Sequence, residues 1–281
     1  MIMDKILISV VTVCLNAEKD IECTINSILE QDLAGFEYLI KDGGSGDMTV
    51  RIAEGYMDRF NAKGISFRVI SGKDDGLYDA MNKATAASSG EWIMFINAGD
   101  ALFDESVLSR ISSEITDDAD VIYGNAVLAD DGHYKLLRAG NTGLFKNCNP
   151  ICHQASITRR DVVGKLGFDT GYEIAADFDL FLRIFLSGEK RFKKTGDALC
   201  IYPLNGVSSN SVLKREREFD ISRRRNGLKR VCLPKMQILK IVCTDIIRKL
   251  AVKLLGAGFY SGKRGWYPDK NEAVRAGECD V

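Results

Sequence analysis

The chain has 281 residues, of which 46% are hydrophobic and 27% are charged, with only four prolines. This composition excludes disordered, collagenous and mucin-like proteins, because it holds enough apolar residues for a sizeable core. The length suits one or two domains. The eight cysteines are scattered and no signal peptide is recognised, so we expect reduced thiols and a cytoplasmic protein.

Charge is distributed unevenly along the chain, although the net charge is only −1. Residues 214–281 carry 17 basic and 8 acidic side chains, a net charge of +9, whereas residues 1–213 carry −10. Such an asymmetry indicates either a partner of opposite charge, such as an anionic lipid surface, or a solvated helical face.

Strands and helices alternate through the first half of the sequence. The buried β-branched run Ile6–Val13 predicts a first strand, and apolar residues at helical spacing predict a helix over Asp20–Gln31. Further strands are expected at 37–42, 65–71, 92–97 and 121–127, with helices at 48–60, 78–88 and 105–115. This series predicts an α/β fold with a mostly parallel sheet and helices on both faces.

The second half is less regular. Strands are expected at 153–158 and 193–202, and helices at 176–186 and 212–226. A further helix, from Lys235 to about Leu255, combines an apolar stripe with Lys and Arg, and is expected either to lie on a membrane or to pack on the domain. The last dozen residues show no periodicity and are expected to be loosely held. We therefore predict one domain over 1–230, with halves 1–130 and 131–230, and a basic extension over 231–281.

Polar loops follow several of the predicted strands. The carboxyl ends of parallel strands form a ligand-binding crevice, so Asp42, Asp75, Asp79 and Asp100 are expected to converge there. The dinucleotide-binding and Walker glycine motifs are absent. Carboxylates with only two histidines in the chain suit Mg²⁺ or Mn²⁺ bound together with a diphosphate substrate. Zinc at the Cys148–His153 cluster is disfavoured, because no second pair of ligands follows.

Several motifs in combination resemble the family-two glycosyltransferases of the GT-A fold, over roughly residues 5–230. These motifs are Thr12–Asn16, Asp42–Thr49, Asp75–Lys83, Gly90–Asp100, Cys152–Ala155 and Ala176–Arg183. The likeness is greatest to the branch that builds bacterial capsular, exopolysaccharide and O-antigen repeat units, including colanic-acid-type transferases. Two departures stand out: the usual Asp-x-Asp motif is here Asn97-Ala98-Gly99-Asp100, and the Glu of the family's Glu-Asp pair is Ala176.

The resemblance implies a role for each of several residues. Asp177 would be the general base, and Asp100 would hold a divalent metal ion, Mn²⁺ or Mg²⁺. The donor-binding residues implied are Thr12, Asn16, Asp42, Asp75, Lys83 and Asn97. Three further residues, His153, Arg159 and Arg160, would contact the acceptor or the diphosphate.

The function implied is that of an inverting glycosyltransferase. It would move a sugar from a nucleotide-diphosphate sugar to a hydroxyl of a lipid-linked glycan in surface polysaccharide synthesis. The expected location is the cytoplasm, with residues 235–255 as a contact to the inner membrane face and no nucleic acid partner. Two alternatives remain open at this point: a nucleotidyltransferase, and a non-catalytic module that binds nucleotide or carbohydrate.

Overall fold

The computed structural model describes residues 7–188, 191–204, 212–229 and 265–278, together with Cys243, Ile247, Leu250 and Leu254. The first half alternates strands and helices as predicted. Its elements are β1 (Ile8–Cys14), α1 (Ile21–Leu29), β2 (Glu37–Asp42), α2 (Thr49–Glu54), α3 (Met57–Ala62), β3 (Ser66–Ser71), α4 (Leu77–Ala87) and β4 (Trp92–Phe95).

The part of the chain after β4 contains more short elements than the sequence pattern indicates. They are β5 (Ala101–Leu102), α5 (Val107–Glu114), β6 (Val121–Asp130), β7 (His133–Leu137), β8 (Ser156–Arg159), α6 (Arg160–Leu166), α7 (Ala176–Leu186), β9 (Phe192–Pro203), α8 (Val212–Arg225) and α9 (Lys270–Glu278). Two 3₁₀ turns, Thr142–Lys146 and His153–Ala155, lie in the connection from β7 to β8.

One sheet runs through both halves, with the strand order β3-β2-β1-β4-β8-β6-β9-β5 and β7 paired to β6. Strands β3, β2, β1 and β4 are parallel, so their carboxyl ends share one edge. Strand β8 pairs antiparallel with both β4 and β6. The part of the sheet formed by β3, β2, β1 and β4 is therefore parallel, whereas the rest contains both parallel and antiparallel pairs.

Hydrophobic side chains pack on both faces of this sheet, because successive residues of a strand point in opposite directions. In β1, Ile8 and Val10 belong to one core cluster and Val11 and Val13 belong to the other. All four are buried, which is why β1 reads as a continuous apolar run instead of an alternating one. The fold class predicted from the sequence is confirmed.

Two local predictions are corrected by the structure, and two short elements were missed. The helix expected over 48–60 is two short helices, α2 and α3, with Gly55 and Tyr56 between them. The strand expected from His153 starts at Ser156, after a 3₁₀ turn. Neither β7 nor α6 was predicted, because five or seven residues give too little periodicity.

Residues 265–278 pack on the domain, so the expectation of a loose terminus is wrong for the part of it that the structure describes. Tyr267 forms an antiparallel bridge with Tyr134 of β7. Within α9, Ala273 is 1% exposed, and the Lys270 ammonium donates to the carbonyl of Phe103. The predicted helix over 235–255 lies outside the described residues, except that Cys243, Ile247, Leu250 and Leu254 are helical and exposed. Among the described residues no helix is both long and apolar enough to cross a membrane.

Gly90, at the start of β4, offers a direct test of packing at the amino end of the sheet. A Cβ atom on Gly90 would lie 2.5 Å from Ser9 Oγ and 2.6 Å from Ser9 N, both in the buried core of β1. We expect Gly90→Ala to lower the free energy of unfolding by about 1–3 kcal/mol, since the crowded atoms belong to a central strand. Gly72→Ala is the control, because nothing lies within 4 Å of its Cβ position. Denaturant unfolding measures both variants, and equal midpoints would contradict the prediction.

Candidate functional site

A crevice of about 850 Å³ opens where β1, β2 and β4 end. Its walls come from the loops after these strands, from the 3₁₀ turn at His153–Ala155 and from the start of α7 and α8. The parallel strands explain the location, because their carboxyl ends leave backbone groups and loop side chains facing one space.

Asp42 organises the loop after β2 and does not line the crevice. Its carboxylate accepts hydrogen bonds from the backbone N–H of Gly44 and Ser45 at 2.9 and 3.0 Å, and from the hydroxyls of Ser45 and Ser71 at 2.5 and 2.6 Å. Burial alone would raise its pKa, but these hydrogen bonds outweigh burial and lower it. The Asp is therefore an ionised support for the loop, and its carboxylate is not part of the crevice lining.

Thr12 and Asn16, the two donor-binding residues expected after β1, differ in position. Thr12 is fully buried, and its hydroxyl donates to the carbonyl of Ile96 at 2.6 Å, so it supports the sheet without reaching the crevice. Asn16 lines the crevice with φ +50°, and its side-chain oxygen accepts from the backbone N–H of Gly46 at 3.0 Å. Asn16 thereby joins the loops after β1 and β2.

The structure places Asp74 in the crevice wall, where the sequence predicted its neighbour Asp75. Asp74 lines the crevice and forms ion pairs with Lys41 at 2.8 Å and Lys83 at 3.0 Å. Lys83 also pairs with Asp79 at 2.7 Å, so its ammonium is held within this loop and does not line the crevice. Asp75 is exposed and donates its backbone N–H to Asp79.

His153 and Asp177 meet at the crevice wall. Nδ1 of His153 lies 3.1 Å from Oδ2 of Asp177, in the first turn of α7. Burial alone would lower the pKa of His153, but the hydrogen bond to Asp177 and the nearby negative charges outweigh burial and raise the pKa to about 9. The imidazole is therefore protonated at neutral pH and forms an ion pair with Asp177.

Asn97 contacts the other side of the same imidazole. One end of its side-chain amide lies 3.4 Å from Nε2 of His153, and the other end is buried without a hydrogen-bond partner among the described residues. Both nitrogens of a protonated imidazole donate, so the amide oxygen belongs on the His153 side. The Asn97 amino group is then the buried end of the amide, a donor without a partner among the described residues.

Asp100 is the carboxylate at the end of the β4 loop, and it is 6% exposed. Gly99, with φ +95°, makes the turn that brings Asp100 into the crevice wall, where its Oδ2 accepts from Nε2 of Gln154 at 3.2 Å. Burial raises the pKa of Asp100 to about 6, although the charge of His153 opposes this. A desolvated carboxylate of this kind is stabilised by a bound cation.

The Asp100 carboxylate fits a divalent ion whose other ligands come from a substrate and water. No group of three or more His, Cys, Asp or Glu side chains suited to a metal ion occurs in the described part of the chain. Mg²⁺ nevertheless binds through one or two carboxylates when substrate phosphates and water supply the other oxygens. Asp100 meets that requirement.

Arg159 and Arg160 do not reach the crevice, which corrects their expected role. Arg159 forms an ion pair with Glu91 at 2.8 Å and stacks on Trp92, with its guanidinium carbon 4.9 Å from the ring centroid. Arg160 donates to the carbonyl of Gly90 at 2.6 Å. Both lie at the β8–α6 junction, where β8 runs antiparallel to β4 and carries them to the opposite edge of the sheet.

Several crevice residues were not found from the sequence. They are Asp74, Arg138, Gln154, Tyr202, Arg215 and Glu216. Two of them adjoin predicted residues, Asp74 beside Asp75 and Gln154 beside His153, so the motifs gave a usable signal. Arg215 gave none, because its place in the wall depends on how α8 packs.

The sequence pattern of Glycosyl transferase family 2 matches residues 9–176, well over half of the chain. A PGL/p-HBAD biosynthesis glycosyltransferase of Mycobacterium tuberculosis is 29% identical over 218 residues, covering 75% of this chain and 82% of that protein. WfgD of Escherichia coli, named as a UDP-Glc:alpha-D-GlcNAc-diphosphoundecaprenol beta-1,3-glucosyltransferase, is 24% identical over 227 residues, covering 78% and 86%.

Solved structures show the same fold. The crystal structure of Staphylococcus aureus TarS in complex with UDP-GlcNAc aligns with a TM-score of 0.61 at 18% identity, covering 77% of this chain and 66% of that one. This chain therefore has the GT-A architecture of glycosyltransferases.

The raised pKa of Asp100 predicts how stability changes with pH. Protonated Asp100 stabilises the fold fully below pH 4, and this contribution is lost as pH rises through about 6. We therefore expect Asp100→Asn, with chelator present, to raise the free energy of unfolding by about 2 kcal/mol at pH 8 and by much less at pH 4.5.

Thermal or denaturant unfolding at the two pH values measures this difference. Asp104→Asn is the control, because hydrogen bonds from Arg110 and Ser106 outweigh its burial and lower the pKa of that carboxyl. A gain in stability that is equal at both pH values, or a loss at pH 8, would show that Asp100 is not strained by burial.

Proposed function

The chain belongs to Glycosyl transferase family 2, and from that premise we propose that it transfers a sugar from a nucleoside-diphosphate sugar to a glycan hydroxyl, with inversion at the anomeric carbon. The observation that carries the proposal is the Asn97–His153–Asp177 contact series in the crevice wall, close to the buried carboxylate of Asp100. One crevice thus holds a base (Asp177), a cation (His153) and a carboxylate suited to a metal ion (Asp100).

Asp177 is the general base of the proposed reaction. It removes the proton of the acceptor hydroxyl while the acceptor oxygen attacks the anomeric carbon from the face opposite the diphosphate. The ion pair with His153 fixes the orientation of the carboxylate, which a general base requires. A single attack on the face opposite the leaving group inverts the anomeric centre.

The donor occupies the loops after β1, β2, β3 and β4. Asn16 and Asp74 line the nucleotide end, and Asn97 offers its amino group to an oxygen of the donor. Asp100 holds a divalent ion, which supplies positive charge to the diphosphate when it is bound. We propose that residues 1–130 form this donor half and residues 131–230 the acceptor half.

A lipid-linked glycan of a bacterial surface polysaccharide is the proposed acceptor. The support is the name of WfgD, which acts on a sugar carried by diphosphoundecaprenol, together with the resemblance to exopolysaccharide transferases. The two alternatives left by the sequence, a nucleotidyltransferase and a non-catalytic module, are not favoured, because the family match and the relatives' names both indicate a glycosyltransferase.

We further propose that the basic extension contacts an anionic membrane. The side chains of Ile247, Leu250 and Leu254 are 63%, 56% and 81% exposed, and their spacing in sequence places them on one side of a helix. The sequence interleaves them with Arg248, Lys249 and Lys253. Exposed apolar side chains beside lysine and arginine are the features of an interfacial helix.

The role of Asp177 is tested with Asp177→Asn in the full chain. We expect UDP or GDP affinity to be kept and transfer to fall by roughly 10² to 10⁴-fold, the usual contribution of a positioned base. Asp161→Asn is a matched control, since Asp161 also lies in the first turn of a helix, α6. Transfer near the wild-type rate in Asp177→Asn would assign the base elsewhere.

The same variant has a spectroscopic signature. The chain contains only two histidines, so an NMR titration resolves His153 from His133. We expect His153 to titrate near pH 9 in the wild type and at a lower pKa in Asp177→Asn, because its hydrogen-bonded counter-charge is removed. An unchanged titration would contradict the ion pair.

The membrane contact is tested by point substitutions, since truncation at residue 230 would also remove the docked segment 265–278. We expect the full chain to sediment with phosphatidylglycerol vesicles at low salt and to be released at high salt. Neutralising Lys240, Arg248, Lys249 and Lys253 to Gln should abolish binding. The control neutralises the exposed residues Lys19, Arg51, Lys165 and Arg217. Equal binding by both variants, or none by the wild type, would contradict a membrane role.

A further inference from the structure

Helix α8 contributes an arginine to the crevice that no motif identified. Arg215 lines the crevice together with Glu216 and Phe219. Its Nε is buried and has no hydrogen-bond partner among the described residues, and its Nη2 lies 3.6 Å from a carboxylate oxygen of Glu216. A buried guanidinium nitrogen without a partner indicates that an acceptor is missing.

Helix α8 is fixed to the helix that carries the proposed base. The Glu218 carboxylate accepts from the backbone N–H of Ile174 and Ala175, at 2.9 and 3.0 Å, just before α7 begins. Phe219 packs on Phe178 of α7, with ring centroids 4.4 Å apart. Arg215 is one turn before both of these residues on α8, so it is held on a rigid scaffold beside the crevice.

The charges around the crevice explain what Arg215 would bind. The acidic residues that line the crevice are Asp20, Asp74, Asp100, Asp177 and Glu216, whereas the basic ones are Arg138, His153 and Arg215. His153 is paired with Asp177, and Arg138 is exposed. A nucleoside diphosphate adds further negative charge, so a cation inside the crevice is needed to hold it.

Arg215 and the carboxylate proposed to hold the metal ion, Asp100, both influence one crevice residue, Tyr202. Burial raises the pKa of the Tyr202 hydroxyl, Asp100 raises it further, and Arg215 lowers it. The charges of Asp100 and Arg215 therefore act on the same hydroxyl, one from β4 and one from α8. Tyr202 itself lines the crevice.

We propose that Arg215 binds the diphosphate of the sugar nucleotide and stabilises the charge that develops there during transfer. This inference depends on the proposed function. When the bond from the anomeric carbon to the diphosphate oxygen breaks, its electron pair stays on that oxygen. The acceptor oxygen forms the new bond to carbon, and its proton goes to Asp177. A planar guanidinium suits the diphosphate, because two N–H groups bind two oxygens at once.

The test measures binding of uridine, UMP and UDP, and of the guanosine series, to the full chain with Mn²⁺ by titration calorimetry. For the nucleoside diphosphate that the wild type binds, we expect Arg215→Ala to lower the affinity about 10- to 100-fold, since hydrogen bonds between charged groups are the strong ones. The nucleoside should bind as before, and Arg215→Lys should restore part of the loss. Transfer at saturating donor should also fall.

Arg217→Ala is the matched control, because Arg217 lies on the same helix, is exposed and does not line the crevice. Equal losses for nucleoside and diphosphate, a loss shared by Arg217→Ala, or a change in acceptor KM alone would overturn the inference. Thermal unfolding of each variant separates these results from misfolding. A wild-type chain that binds neither nucleoside diphosphate would contradict the proposed function itself.

Discussion

The ion pair between His153 and Asp177 connects the two sides of the crevice, and the proposed chemistry depends on it. His153 comes from the 3₁₀ turn before β8, whereas Asp177 comes from the start of α7. The imidazole also contacts Asn97 at the end of β4, so three separate parts of the chain meet at one ring. Because the pair is largely withdrawn from water, its attraction is screened less than that of a surface pair.

The carboxylates in and beside the crevice differ in role: some hold a loop in place, and one is available to a ligand. Asp42 is surrounded by hydrogen-bond donors and Asp74 by two lysines, and these contacts hold both side chains in their loops. Asp100 is different, because burial raises its pKa and Gln154 is its one side-chain donor in the described structure. Carboxylates that look alike in a sequence thus have opposite environments, and the environment determines which one is available to a ligand.

The sequence predicted the parallel half of the fold well, because its strands are buried on both faces and its helices carry regular apolar faces. The positions of β2 and α7 were predicted to the residue. Loop roles were harder to predict. Motif matching selected Asp42, Asp75 and Thr12, but a motif does not state whether a side chain supports its own loop or faces the ligand. Arg159 and Arg160 were misplaced because the antiparallel direction of β8 is not visible in the sequence. Arg215 required the packing of α8 on α7, a contact between residues more than forty positions apart.

The docking of Tyr267 against Tyr134 changes the topology of the basic extension. The chain is attached to the domain before residue 230, through α8, and again after residue 264, through the strand bridge and α9. The segment between these contacts is therefore connected to the domain at both of its ends. A free tail would hold the enzyme near a surface in any orientation, whereas a doubly anchored loop restricts rotation of the domain. For the membrane contact proposed above, attachment at two points would limit the angles between the bound surface and the domain, and so the reach required of the proposed lipid-linked acceptor.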